Sequence, residues 1–223
     1  MRVFVGYDAA QPVNFHVLAQ SILERASAPV AVTPLVLAQL PLVRLREPGQ
    51  TSDFSFTRFL VPWLCGYRGT ALYLDPDFLM RCDVAEIFAM ADPSADVTVV
   101  KHDYVPRGLT KFLDKAQTSY ERKNWSSLML FNCARCAALT PEVVSSASAS
   151  WLRQLRWART IGGMPRDYNH LVGEYGPRPD ARAVHFTQGT PCFPGYADCE
   201  FADEWREALR AANYHDPRTG ERR

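Results

Sequence analysis

Short apolar runs alternate along this chain with stretches whose apolar positions recur every three or four residues. Residues 2–6 (Arg-Val-Phe-Val-Gly) are β-branched and aromatic enough to predict a strand, with Gly6-Tyr7-Asp8 as the loop at its carboxyl end. From Pro12 to Arg25, Phe15, Leu18, Ala19, Ile22 and Leu23 fall at helical spacing. Residues 29–38 return to strand through Val30, Val32, Leu35 and Leu37. Pro34 inside that run predicts an edge position, because proline donates nothing to a central ladder. A Pro/Gly-containing loop follows over 41–52. A second helix is predicted over Phe56, Phe59, Leu60, Trp63 and Leu64, ending at Gly66 as C-cap.

Ala71-Leu72-Tyr73-Leu74 is apolar without alternation, the pattern of a strand buried on both faces, and Asp75-Pro76-Asp77 follows it directly. Further strands are predicted over 96–100, 126–131 and 181–186. The longest helix is expected over 141–157 and an amphipathic one over 201–212, with a polar, frayed tail over 213–223. Strands alternating with helices predict an α/β fold: a mostly parallel central sheet with helices on both faces, in one domain spanning residues 1–223.

Composition narrows the function. With 25 Lys and Arg against 24 Asp and Glu, the formal charge of +1 offers no global field for nucleic acid or an anionic membrane, so any anion site must be local. Asp8 interrupts the first apolar run too early for a signal-peptide core, and no apolar run approaches the roughly 20 residues of a transmembrane segment. A soluble, cytoplasmic protein is the expectation. The six cysteines are expected to be reduced; Cys133-x-x-Cys136 has no second pair to complete a zinc site and is predicted to pack as small buried residues. Trp63, Trp125 and Trp151 are expected in the core.

Ligands of open parallel sheets bind beyond the carboxyl ends of the strands, and Asp8, Asp75, Asp77 and His185 all fall near predicted strand ends. Asp75 and Asp77 are two apart on extended chain, so their side chains start from one face and reach one cation, which offsets their mutual repulsion. Oxygen ligands plus one imidazole suit Mn²⁺ or Mg²⁺. Bland readings stand beside these: Asp-Pro-Asp as a turn, Asp8 as a helix cap, Arg58 as a snorkelling side chain, His185 as a hydrogen-bonded core residue.

Five segments, in order, carry a resemblance. They are Val3-Phe-Val-Gly-Tyr-Asp8; Ser55-Phe-Thr-Arg58 through Ala71-Leu-Tyr-Leu-Asp75-Pro-Asp77 to Asp83-Val-Ala-Glu86-Ile-Phe88; Asn124-Trp-Ser-Ser127-Leu-Met-Leu-Phe-Asn132; Met164-Pro-Arg-Asp167-Tyr-Asn169; and His185-Phe-Thr-Gln188-Gly189-Thr-Pro191. Together they resemble glycosyltransferase family 8, covering the chain from Arg2 to about Pro194. The resemblance implies a GT-A (Rossmann-like, nucleotide-diphospho-sugar transferase) fold and a metal-dependent hexosyltransferase that retains anomeric configuration.

It further implies a nucleotide diphosphate sugar donor, UDP-linked in the first instance, and a carbohydrate, lipid-linked glycan or small molecule as acceptor. Asp75, Asp77 and His185 become the metal ligands. Tyr7 or Asp8 would fix the base and Arg58 the diphosphate, with Asn124, Ser127 and Gly189 lining the donor pocket. Gln188 is the family-like polar group nearest the reacting face; Asp167 and Asn169 would orient donor or acceptor hydroxyls, and Asp103 would contribute from its loop. Two departures stand out. No Lys follows the His185-Phe186 pair, and Ser127 occupies a position where the family has Gly. Loops 39–53 and 103–123 are the expected acceptor-facing segments. A haloacid-dehalogenase-like phosphatase carries its Asp pair after the first strand of its domain, which is not the arrangement here. The runner-up is a catalytically degenerate module that binds nucleotide sugar without turnover.

Overall fold

The structure, a computed structural model, describes residues 1–44, 52–107, 110–111, 115–116 and 119–213. Its central sheet has six strands in the order β2-β1-β3-β8-β5-β9: Ala31–Leu35 (β2), Arg2–Gly6 (β1), Thr70–Leu74 (β3), Leu128–Asn132 (β8), Val97–Val100 (β5) and Ile161–Met164 (β9). β1 runs parallel to β2 and β3, and β5 parallel to β9; β8 lies antiparallel between β3 and β5. The expected mostly parallel sheet is thus present, with β8 as its reversed member. β2 is at the edge, where Pro34 costs no ladder bond.

Alternation along the strands divides the interior into two layers. Phe4, Ala71, Tyr73, Val97, Val99, Met129 and Phe131 face one side, packing with Phe59, Leu60, Val144 and Leu152. Val3, Val5, Leu72, Leu74, Leu128 and Leu130 face the other, packing with Leu18 and Ile22 of Pro12–Arg25 (α1) and with Val84 and Ile87 of Val84–Ala89 (α3). Helices therefore cover both faces. A third apolar cluster joins Val17 of α1 to Trp205 and Ala208 of Ala202–Asn213 (α6). It also contains Leu79 and Val184, from a small second sheet of order β10-β11-β4: His170–Leu171 (β10), Ala183–His185 (β11) and Phe78–Met80 (β4). Thr110–Lys111 (β6) and Lys115–Ala116 (β7) pair antiparallel.

Several expectations need correction. The long helix over 141–157 is two short ones, Pro141–Ser146 (α4) and Ala149–Arg153 (α5), because Ala147 and Ser148 are extended and the Ser148 hydroxyl caps the second start at Trp151. Among the described residues the longest helix is α1, with 14 residues. Over 56–64, tight 3₁₀ turns at Thr57–Leu60 lead into a four-residue helix, Val61–Leu64 (α2), with Pro62 in its first turn. Gly66 ends it as expected, at φ +58°, with Gly66 N–H donating to the Trp63 carbonyl and Tyr67 N–H to Pro62. Trp63 is 36% exposed and is not a core residue, whereas Trp125 and Trp151 pack partly buried against the core.

α3 and the strands β4, β9 and β10 went unrecognised. β9 is Ile-Gly-Gly-Met, a poor strand sequence; a Cβ on Gly162 would come 2.8 Å from the Thr98 hydroxyl, so only glycine lets β9 close on β5. All six cysteines are free, and Cys133 and Cys136 are buried as predicted, although Cys192 is exposed. Among the described residues, no helix is long and apolar enough to cross a membrane. The tail beyond Asn213 and residues 45–51 of the predicted loop lie outside the described residues.

Candidate metal and donor site

The turn between β3 and β4 is pinned at both ends. Asp75 N–H donates to the Ser127 carbonyl (2.8 Å), extending the β3–β8 ladder, and the Asp77 carbonyl accepts from Phe186 N–H (2.9 Å). Register places His185 opposite Phe78, one residue beyond Asp77. Sheet pairing thus carries an imidazole across more than a hundred residues of sequence to the two acids. Ligand atoms of Asp75, Asp77 and His185 all lie within 4.8 Å of one another, and His185 Nε2 is 3.4 Å from Asp77 Oδ1.

The tautomer of His185 is set from behind. Its Nδ1 lies 3.1 Å from Asn169 Oδ1. The Asn169 amide donates from Nδ2 to Ser127 Oγ (2.9 Å), and that hydroxyl donates onward to the Asn124 carbonyl (2.7 Å). This direction of donation turns the amide oxygen toward the ring, so Nδ1 donates to Asn169 and Nε2 is the nitrogen that faces the acids. Phe78 stacks on the imidazole at 4.4 Å and fixes its plane.

Asp75 is held as firmly. Arg58 Nη2 is 2.8 Å from Oδ1, and the Tyr73 hydroxyl donates to the same oxygen at 2.7 Å. Arg58 also donates to the Ser126 carbonyl (2.8 Å). Burial pushes the Asp75 carboxyl above its ordinary range even with Arg58 beside it; Asp77 adds to the rise and His185 offsets it. Two carboxylates and an imidazole nitrogen converging in a partly desolvated turn fit a divalent cation, and this donor set suits Mn²⁺ or Mg²⁺.

A cleft opens over this cluster. One wall is Asp8, Gln11 and Asn14, at the β1–α1 junction, with Thr190 donating to Asn14 Oδ1 at 3.0 Å. Asp8 does not cap α1, whose cap position is Gln11; its carboxylate accepts from Ala10 N–H (3.0 Å) in a local turn. The other wall brings Arg58, Lys123, Asn124 and Arg153. Thr187 and Gly189 close the end, and a side chain on Gly189 would collide with the Tyr196 ring.

No protein-family model matches the sequence. Over 225 aligned residues, 95% of this chain and 87% of the other, it is 39% identical to Protein CDI of Arabidopsis thaliana. The chain belongs to the CDI family. Solved structures place the CDI-family backbone among known folds. The galactosyltransferase LgtC, solved with donor and acceptor sugar analogs, superposes with a TM-score of 0.66 at 13% identity over 98% of both chains. The glycosyltransferase GlyE of Streptococcus pneumoniae gives 0.61 at 12% over 93% of this chain and 59% of its own. Mouse xyloside xylosyltransferase 1 gives 0.52 at 10%, over 85% and 99%. The CDI-family chain therefore has the GT-A fold expected of it.

Of the residues singled out in the sequence, Asp8, Arg58, Asp75, Asp77, Asn124, Ser127, His185 and Gly189 line the one cleft. Others do not. Tyr7 packs edge-on against Phe15. Gln188 donates to Glu174 Oε1 (3.1 Å), Asp167 pairs with Arg178 (2.6 Å), and Asp103 is exposed on its loop; none of the three lines the cleft. Arg58 was expected on a diphosphate, and its guanidinium is instead engaged with Asp75 and Ser126. Asn169, expected to orient hydroxyls, orients His185. Tyr73, Asn14, Lys123 and Arg153 went unrecognised as cleft or cluster residues in the CDI-family sequence, since each sits in an ordinary helix, strand or loop pattern. Only the fold brings them together.

Proposed function

We propose that this CDI-family chain is a glycosyltransferase that moves a hexose from a nucleoside diphosphate sugar, a UDP-sugar first among them, to a carbohydrate, lipid-linked glycan or small-molecule acceptor. The observation that carries the reading is the convergence of Asp75, Asp77 and a tautomer-fixed His185 at the carboxyl edge of a GT-A sheet. Asp75, Asp77 and His185 would hold a divalent cation, which would supply Lewis-acid stabilisation of the negative charge left on the diphosphate as the nucleotide departs. The chain's own residues do the rest. Asp8, with Gln11 and Asn14, presents acceptors and donors for a base edge. Arg58 pairs with Asp75 and opposes the rise that burial imposes on its carboxyl. Asn124 donates to Thr187 (3.2 Å), and both line the cleft beside the cluster. Membership of glycosyltransferase family 8 and retention of anomeric configuration belong to the same proposal, supported by the five ordered motifs.

A second reading has a specific observation behind it. Gln188, expected nearest the reacting face, and Asp167 and Asp103, expected to assist from beside it, all lie off the cleft. That favours a module that binds nucleotide sugar without turnover. Incubating the purified chain with a panel of UDP- and GDP-sugars and Mn²⁺ separates the two. Nucleotide release that stops on chelation supports the transferase, and the anomer of any product, read by NMR, tests retention. Metal-dependent binding with no release under any acceptor condition supports the module. No binding of any nucleotide sugar contradicts both.

A further inference from the structure

The cleft wall at the β1–α1 junction contains a short polar relay whose members lie as much as 176 positions apart in sequence. The Thr190 hydroxyl lies 3.0 Å from Asn14 Oδ1 and 3.0 Å from Cys192 Sγ. Sulfur is a weak acceptor, so the hydroxyl gives its one proton to Asn14 and receives the Cys192 S–H. The Asn14 oxygen is thereby used, and its amide is turned so that Nδ2 donates to Gln11 Oε1 at 3.2 Å. Asn14 and Thr190 are 4% and 1% exposed, so water does not compete for either group and the direction of donation is held. Gln11, half-buried at the cap position of α1, has its carbonyl oxygen engaged within the wall and presents N–H donors to the cleft. Asp8 is its complement. The two share one turn, with Gln11 N–H donating to the Asp8 carbonyl at 2.9 Å, and the Asp8 carboxylate lines the same cleft as an acceptor.

We infer that Gln11 is a specificity-determining residue of the donor site: with Asp8 it reads the imide edge of uracil, while Asn14, Thr190 and Cys192 are positioning residues that fix which end of its amide faces the base. The inference rests on the nucleotide-sugar reading above and names the groups that choose the base. Uracil presents one ring N–H between two carbonyl oxygens, so a carboxylate on that N–H and an amide N–H on either neighbouring carbonyl satisfy it. Guanine meets the pair in only one orientation, because the other sets its 2-amino group against the Gln11 N–H. Cytosine puts a bare ring nitrogen where the carboxylate needs a proton. A locked glutamine serves this better than a rotating one, since an amide able to flip offers oxygen as readily as nitrogen. The relay also gives a task to the segment after His185-Phe186, where no lysine stands: it supplies Thr190 and Cys192 to the base wall.

The test is calorimetric titration of the full chain with Mn²⁺ present, using UDP, GDP and CDP as probes. The proteins are the wild type, Gln11→Met, Gln11→Glu, Thr190→Val and Thr190→Ser, each checked by thermal melting without ligand. The wild type is expected to prefer UDP. Gln11→Met removes the donor at nearly constant length and should weaken UDP binding roughly fivefold, the scale of one hydrogen bond. Gln11→Glu sets a second acceptor beside Asp8. It should lower the UDP-to-GDP affinity ratio by about tenfold or more, since guanine alone of the three bases has two adjacent donors for two acceptors. The added negative charge repels both diphosphates alike and leaves that ratio untouched. Thr190→Val interrupts the relay and should shrink the preference for UDP, with Thr190→Ser restoring it. A ratio unchanged in Gln11→Glu, or a wild type that prefers GDP or CDP, overturns the assignment of Gln11; equal ratios in the two Thr190 variants overturn the relay. A wild type that binds none of the three overturns the nucleotide-sugar reading itself.

Discussion

Two buried aspartates, each paired with an arginine at nearly the same distance, sit at opposite ends of the central sheet. Asp75, at the carboxyl end of β3, meets Arg58 at 2.8 Å; Asp96, just before β5 at the amino end, meets Arg135 at 2.7 Å. Their acidities move in opposite directions. Burial opposes ionisation of Asp96 as well, but the amides of Arg159 and Thr160 (2.6 and 3.2 Å) and the Arg135 guanidinium outweigh it, and the carboxyl lies below its ordinary range. At Asp75 burial prevails and the neighbouring Asp77 adds repulsion, so its carboxyl lies above. An ion pair alone therefore does not mark a site. A carboxylate whose lone pairs are taken up by backbone amides is a structural tie, whereas one left beside a second acid and an imidazole is incomplete without a positive ligand.

The comparison can be sharpened by substitution. The largest effect is expected at Asp77→Asn. Mn²⁺-dependent nucleotide release should fall by about 10²–10³-fold, the scale of losing a Lewis-acid contact, while the cation-free variant melts no lower than the wild type because the repulsion on Asp75 is gone. A lower melting temperature would show that Asp77 is a structural tie like Asp96. Asn169→Leu removes the partner of His185 Nδ1 and should weaken Mn²⁺ binding by roughly 10–100-fold, with Asn169→Gln recovering part of it; equal affinity in both would mean that the ring is oriented by Phe78 alone.

Asp96→Ala is the converse case. It should cost about 2–3 kcal/mol, or roughly 4–12 °C in melting temperature, and leave Mn²⁺ affinity unchanged. The sign of its pH dependence follows from the lowered acidity constant. Its stabilisation is complete above the unfolded value, about 3.9, and is lost as pH falls through the lower folded one. The smallest effect is expected at His102, a buried imidazole whose Nδ1 meets the Tyr175 hydroxyl at 2.8 Å and whose basicity burial pushes down to about 3, His185 and Arg166 adding to the fall. Its contribution is full above about pH 6.5 and drains between there and about pH 3. His102→Gln should flatten the melting-temperature slope between pH 7 and 5, a window in which Asp96 does not titrate. An unchanged slope would place the responsible group elsewhere.

Much of the sheet was legible from its short apolar runs: β1, β3, β5 and β8 fall where those runs predict, and Pro34 marks the edge. What escaped has a physical cause in each instance. Gly162 and Gly163 hide β9 because glycine has low β propensity, and Gly162 is there for its close approach to Thr98. The serines of 145–148 look permissive in a helix yet act as a stop and a new cap. At the site, Asp75, Asp77 and His185 were legible because strand ends and residue chemistry coincide. The partners that Asn169 and Gln188 meet were not legible, because they follow from the register between β4, β10 and β11, and no local pattern encodes that register.

The most direct test is a titration of Mn²⁺, followed by electron paramagnetic resonance of the free ion, into the full chain and into Asp77→Asn in the presence of UDP. One Mn²⁺ taken up per chain by the wild type and none by the folded variant is the expected result. Equal uptake by both, or none by either, contradicts the three-ligand site.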